Sequence, residues 1–369
     1  MTEIAATAYS PSEVSPPGET LRELLEERGI PQAELALRMG RPRKTISEII
    51  NGKAALTHET ALQLELVLGV PADFWNSRER IYRAYLASLE EKKRLEAEAA
   101  WCGNFPIKQM AELGWVKRPE GKSARVHELF SYFGVVSSDQ WTELYSDVAV
   151  AFRTSAKFEA DRFSLGAWLR YGLRESQRVD AAPFDRSRFE GALAEARALT
   201  RQDPEAFVPA LRSSCAAAGV VVMFVPELPR SRASGATRWV TPDKALIQLS
   251  LRYKTNDHLW FTFFHEAAHI LLHGKRLIFI ESNGSSEAQE EAQANAWAAD
   301  WLIPPAAYSK FTERARFTEP LVRQFAKLID IAPGIVVGRL QHDGLVKHSQ
   351  LNHLKVKLGW AAAAEGDAE

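Results

Sequence analysis

Between Pro17 and Leu86 apolar residues recur at helical spacing in short runs, broken by Gly29, Gly40, Gly52 and Gly69. This pattern predicts a compact bundle of about five short helices. From position 87 to about 202 the period stays mostly helical. Residues 88–100 (SLEEKKRLEAEAA) are so charged that they read as a solvated connecting helix. Trp101, Trp115, Trp141, Phe163 and Trp168 read as core fillers in this stretch. Beyond it the period shortens. Residues 220–225 form a continuous apolar run that predicts a buried strand, and residues 236–240 and 245–251 alternate around a Thr241-Pro242-Asp243 turn. A strong helical pattern runs from Asn256 through His273. A second begins near Ser286 and ends at Ile303, before Pro304-Pro305. The last fifty or so residues read as helical and close in an Ala-rich, frayed tail.

Composition narrows the class. The chain has 369 residues, 46% hydrophobic and 25% charged, which is ordinary for a soluble globular protein. At about 100–200 residues per domain it holds two or three domains. With 46 basic and 47 acidic residues the net charge is −1, so attraction to nucleic acid must be local, and no membrane partner is expected. Cys102 and Cys215 form no CxxC pair, which points to a reducing, cytoplasmic setting. No apolar run approaches the ~18 residues of a membrane helix. Residues 1–16 lack the basic and apolar regions of a secretion signal and read as a flexible tail.

The first chemical signal is QAELALRMGRPRKTISEIIN at 32–51. Small Ala36 lets two helices approach, and Gly40 permits a sharp turn between them. Ile46, Ile49 and Ile50 share one face of the second helix, expected to pack on Leu35 and Leu62. Arg43, Lys44 and Ser47 then point outward. Five basic residues and one acid lie between Arg38 and Lys53. A helix so presented can enter a major groove, where Arg or Lys donates to guanine. A solvated basic face on an ordinary helical bundle fits the same pattern.

Residues 17–86, through PGETLRELLEERG, QAELALRMG, KTISEIINGK and LTHETALQLELVLGVPADFW, resemble the Xre/HigA class of helix-turn-helix domains. The resemblance implies a homodimer on a palindromic operator in double-stranded DNA. It makes Arg43, Lys44 and Ser47 base readers, and Gln32 and Thr45 phosphate contacts. Pro31 and Pro42 stand where the class usually places a capping Ser. They suit a first helical turn but remove a hydroxyl and an N–H from the phosphate side.

The second signal is FTFFHEAAHILLHG at 261–274. His265 and His269 lie one turn apart, so both rings can converge on one ion. Glu266, beside the first, is placed to take a proton from an activated water. A buried helix with satisfied histidines is the plainer alternative. A catalytic zinc needs a third protein ligand. His273 is about 12 Å along the axis from His265, too far for the same ion, and reads as a helix-end residue whose cation suits the dipole. Glu291 and Asn295, in EEAQANAWAADWLIP, lie one turn apart on the next helix. Glu291 can complete a His2Glu set while Asn295 orients a ligand ring from behind. Glu287 and Glu290 are rival carboxylates expected to face solvent. Ala292, Ala294, Ala296, Ala298 and Ala299 offer a small surface for close helix packing.

HEAAHILLHG and residues 291–304 resemble the ImmA/IrrE family of zinc metallopeptidases, with Gln293 and Trp297 in place of the usual Glu and Phe. The resemblance spans about 211–305. It implies a minimal thermolysin-like (gluzincin) α+β domain, Zn2+ on His265, His269 and Glu291, and Glu266 as general base. In such folds an extended substrate pairs with an edge strand, for which 245–251 is the candidate. Tyr253, His258 and Arg252 are possible oxyanion donors.

The expected architecture is multidomain and mainly α. A tail at 1–16 precedes an all-α helix-turn-helix bundle at 17–86 and a helical middle region at 87–205. A peptidase domain at 206–315 and a helical C-terminal region at 316–369 follow. The expected function is a DNA-binding transcriptional regulator whose zinc-dependent endopeptidase domain cleaves a regulatory protein such as a repressor. The alternative is a HigA-like antitoxin or autorepressor, with a toxin partner, whose metal domain only binds a partner or senses a signal.

Overall fold

The computed structural model describes residues 14–145, 161–274, 285–313 and 316–360. The tail expected at 1–16 lies outside them up to position 13, as does the chain end from 361. Two compact units divide the chain, Met1–Glu98 and Ala99–Glu369. Among the described residues no helix is long and apolar enough to cross a membrane.

The first unit consists of α1 (Pro17–Glu27), α2 (Gln32–Arg38), α3 (Arg43–Ile50), α4 (His58–Leu68) and α5 (Ala72–Ala97). Gly40 takes φ +64° between α2 and α3, a left-handed turn that a side chain would strain. Gly18 lets α1 cross α3 backbone to backbone, since a Cβ there would sit 2.1 Å from the Ile49 carbonyl oxygen. Pro31 and Pro42 are the N-caps of α2 and α3, with extended backbone and no capping side chain. Leu21, Leu35, Ile46, Leu64 and Trp75 are fully enclosed. The expectation for Leu62 fails: it is 58% exposed, because the helical period turns Ala61, Leu64 and Leu68 inward and carries position 62 outside.

In the second unit, α6 (Ala99–Cys102), α7 (Ile107–Glu112), α8 (Lys122–Phe133) and α9 (Ser138–Leu144) precede α10 (Arg162–Gln177). The aromatic residues of this stretch fill a core, with Trp141 stacked on Phe163 at 5.0 Å. Next come α11 (Arg186–Leu199), α12 (Pro204–Ala217), β1 (Val220–Phe224), β2 (Gly235–Thr241) and β3 (Lys244–Leu249). The last helices are α13 (Asn256–Leu272), α14 (Ser285–Leu302), α15 (Pro305–Thr312), α16 (Glu319–Leu328) and α17 (Pro333–His342).

The sheet has the order β1-β3-β2, with β1 parallel and β2 antiparallel to β3. This corrects the expected edge strand. Residues 245–249 form the central strand, with both backbone edges paired, so no extended peptide can add to it. The misleading signal was Gln248, a polar residue in an alternating run. It is buried on the face covered by α10 and donates to the Trp168 carbonyl at 2.7 Å. Gly172 gives it room, since a Cβ there would fall 1.9 Å from the Gln248 Oε1. The opposite face, Ala245, Ile247 and Leu249, joins Trp260 and Phe263 in the main core.

Candidate metal centre

Helix α13 is apolar around most of its surface and lies in the core against the sheet, α14 and α17. It therefore carries His265, Glu266 and His269 into a setting where each is at most 3% exposed. Helix α14 meets it through Ala294 and Ala298, both fully buried, while Ala292 and Ala296 are exposed. The close contact uses two of the five expected alanines.

At this contact the His265 and His269 Nε2 atoms are 3.0 Å apart. The Glu291 carboxylate completes the triangle, one oxygen 3.2 Å from each ring nitrogen. The three side chains form a group able to hold a metal ion. Glu290, half-buried, is outside it, and the Glu287 side chain lies outside the described residues.

The outward ring nitrogens decide what the inward ones offer. The His265 Nδ1 lies 3.0 Å from the Asn295 Oδ1, and the His269 Nδ1 lies 2.9 Å from the His273 Nδ1. The His273 Nε2 lies 3.3 Å from the Gln293 Oε1. Reading both amide oxygens as acceptors sets the tautomers: His273 donates to Gln293, His269 to His273, and His265 to Asn295. Both inward Nε2 atoms then carry lone pairs. Burial first, along with neighbouring His265 and His273, lowers the His269 pKa against the pull of Glu291, so at neutral pH this ring is neutral. Two lone pairs and an ionised carboxylate facing one another call for a cation between them. A tetrahedral ion ~2.0–2.1 Å from each donor needs donors about 3.3 Å apart, close to the spacing found.

His273 corrects an expectation. It caps α13 as foreseen, yet it is also a buried link in this hydrogen-bond chain. Its spacing to His269 repeats that of His265 to His269, and a ligand ring needs an acceptor behind it. Those two facts were the available signal. Gly235, at the start of β2, carried none. A Cβ there would lie 2.6 Å from both the Glu266 Oε1 and the Thr262 Cγ2. Strand β2 thus brings bare backbone against the Glu266 carboxylate. Of the oxyanion candidates, Tyr253 and His258 stack with ring centroids 4.2 Å apart, whereas the Arg252 guanidinium donates to the Arg232 carbonyl.

The first unit presents the other expected residues. Gln32, Arg43 and Lys44 are exposed, and Thr45 and Ser47 are half-buried. Lys44 pairs with Glu48 at 3.7 Å, and the Asn51 Nδ2 donates to the Ser47 carbonyl at 2.7 Å. Arg38 pairs with Glu34, and Arg41 reaches Gln63 and Glu59. The Arg43 side chain, on the first turn of α3, makes no hydrogen bond or ion pair among the described residues.

Comparison with known proteins defines the class. Residues 21–75 match the helix-turn-helix family model, and residues 215–330 match the model of the IrrE N-terminal-like domain, a peptidase family designated M78. The chain carries an Xre-type helix-turn-helix domain followed by an IrrE/ImmA-like domain. Among curated proteins it is 37% identical over 59 residues to the uncharacterised HTH-type transcriptional regulator YddM of Escherichia coli (strain K12). That match covers 16% of this chain and spans 63% of the length of YddM. Among solved structures it is similar to an addiction module antidote protein of the HigA family from Coxiella burnetii, at 29% identity. The likeness covers 23% of this chain and 95% of that one, with a TM-score of 0.22.

Proposed function

We propose that the chain is a DNA-binding transcriptional regulator with a zinc-dependent endopeptidase domain that cuts a regulatory protein. The convergence of the His265 and His269 Nε2 atoms on the Glu291 carboxylate, beside a buried Glu266, carries this reading. His265, His269 and Glu291 would hold the ion, in a minimal gluzincin, thermolysin-like core within residues 206–315. Zinc bound there supplies Lewis acidity toward a peptide carbonyl. Asn295 holds the His265 ring and His273 the His269 ring. Glu266 takes the proton of the attacking water on its carboxylate and returns it to the departing amine. The burial of His265, Glu266 and His269, each at most 3% exposed, strengthens these electrostatic interactions.

Residues 17–86 would bring the chain to its operator as a dimer. Arg43, Lys44 and Ser47 would face base edges, with Gln32 and Thr45 against phosphate. Exposure of Arg43 at the start of α3, the second helix of the pair, supports this part.

The test begins with metal analysis of protein purified without added metal. One zinc per chain, lost in Glu291→Ala and kept in Glu266→Gln, is the expected result. Glu266→Gln should then fail to cut the peptide that the wild-type protein cuts. A metal-free wild type that takes up no zinc sinks the reading, and so does full cleavage by Glu266→Gln.

A further inference from the structure

Alternation along β2 sends Trp239 into the main core opposite Ala245 and turns Arg238 to the other face of the sheet, which α10 covers. There the Arg238 Nε is buried and meets no acceptor among the described residues. Arg170, on α10, donates from its Nε to the Tyr132 carbonyl at 2.9 Å. A Cβ on Gly134, the C-cap of α8, would lie 3.0 Å from the Arg170 Nη2. The end of α8 thus fixes one edge of this guanidinium with neutral backbone. Tyr145, the C-cap of α9, lies against α10 one turn earlier, where a Cβ on Gly166 would meet its ring at 3.4 Å.

These three side chains are half-buried, and neither arginine makes an ion pair among the described residues. They also act on one another. Burial lowers the Arg238 pKa, Tyr145 opposes the fall, and Arg170 adds to it. Burial pushes the Tyr145 hydroxyl up to about 12, against the pull of Arg170 and Arg238. Arg174, one turn beyond Arg170, lies over the Tyr132 ring at 5.0 Å and adds a further positive charge without an ion pair among the described residues.

We propose that Arg170, Arg238 and Tyr145 bind a phosphate group, either the inorganic ion or the phosphate of a small monoester. The site lies on the face of β2 opposite Gly235 and Glu266, so it does not depend on the peptidase reading.

Charge and donor geometry select this ligand. Two cations taken partly out of water repel each other, and an anion between them relieves both. A carboxylate would answer one of the two, whereas phosphate carries about −1.5 to −2 at pH 7 and answers both. Its three acceptor oxygens match two guanidiniums and a phenol. The phenol keeps its proton at neutral pH and donates it. Because backbone occupies only the Arg170 Nε, the Nη atoms of that fork remain for phosphate oxygens.

The experiment titrates inorganic phosphate and phenyl phosphate into the full-length chain by calorimetry, at constant ionic strength set with sodium chloride. One ligand should bind per chain. Arg238→Gln and Arg170→Gln should each weaken it by about tenfold or more, the cost of losing a hydrogen bond to a charged group. Binding should be unchanged in Glu291→Ala and Arg43→Ala, which disable the candidate metal centre and the basic face of the first unit. Should the glutamine variants fold poorly, Arg238→Met supplies a second measurement. Without phosphate it should melt above the wild type, since an unanswered buried charge is gone, and added phosphate should raise the melting temperature of the wild type alone. Inorganic phosphate binding by itself assigns the free ion, tighter phenyl phosphate binding assigns a monoester, and either upholds the site. The proposal is overturned if neither ligand saturates, if binding survives both arginine substitutions, or if it disappears in Glu291→Ala or Arg43→Ala. A lower melting temperature in Arg238→Met also overturns it, because the charge would then already be paired.

Discussion

The His269 Nδ1 lies 2.9 Å from the His273 Nδ1, so a ring of the candidate metal centre is held from behind by a second imidazole instead of a carboxylate. A neutral acceptor supports the ring without adding charge, and Gln293 at 3.3 Å keeps that imidazole in the accepting tautomer. His273→Ala should therefore weaken zinc binding by ~10–100-fold. Competition against a chromophoric chelator measures this, and His273→Gln should recover part of the loss. Unchanged affinity in His273→Ala would show that the link does nothing for the metal.

Gly235 gives a way to disturb Glu266 without touching the three residues that would hold the ion. In Gly235→Ala the new methyl must displace the carboxylate or the Thr262 methyl, each 2.6 Å away. Zinc content should stay at the wild-type level while peptide cleavage falls ~100-fold, the usual cost of an ångström's misplacement. Metal analysis and a cleavage assay on the same preparation separate the two effects.

Gly172 and Gln248 form a matched pair across the sheet face. Gly172→Ala should destabilise the chain by ~1–3 kcal/mol through overpacking. Adding Gln248→Ala removes the obstruction and should return part of that loss. Urea melts of the two single variants and the double variant give the coupling directly.

Arg43 is expected to dominate recognition by the first unit, since Arg38, Arg41 and Lys44 are engaged with acids. Arg43→Ala should cost ~1–3 kcal/mol on operator DNA and relax the base preference at one position. Titrations at several salt concentrations test it, because a phosphate contact would instead lower the salt slope uniformly.

Neither thiol should react in the folded chain. Cys215 is enclosed, and burial pushes its pKa to about 12; burial also raises that of Cys102. The thiolate fraction at pH 8 is therefore negligible at Cys215 and reduced at Cys102. Ellman's reagent should titrate no thiol until denaturant is added, and then two.

The candidate site was legible where its geometry is local. His265 with His269, and Glu291 with Asn295, are one helical turn apart, and the helical period is fixed by the backbone. What lay across the chain was harder to read. The Gln248 amide looks solvent-facing until the Trp168 carbonyl, 80 residues away, is placed above it. The order β1-β3-β2 likewise depends on a parallel pairing that alternation along one strand does not encode. His273 showed the right spacing, but its partner Gln293 sits on another helix. Leu62 differs for another reason: on α4 it neighbours the inward Ala61, and apolar character alone does not separate adjacent helix positions.

The missing side chain at Gly235 also gives a rule for judging other sequences. HExxH fixes only which residues sit on one helix, and it recurs in chains with no metal chemistry. The position of the glutamate carboxylate is set from outside, by a strand that must bring nothing larger than hydrogen beside it. A sequence with the same helix and an alanine or larger residue at that strand position holds its glutamate elsewhere. One glycine, some thirty residues upstream of the motif, thus distinguishes chains that share the motif from chains that share the arrangement.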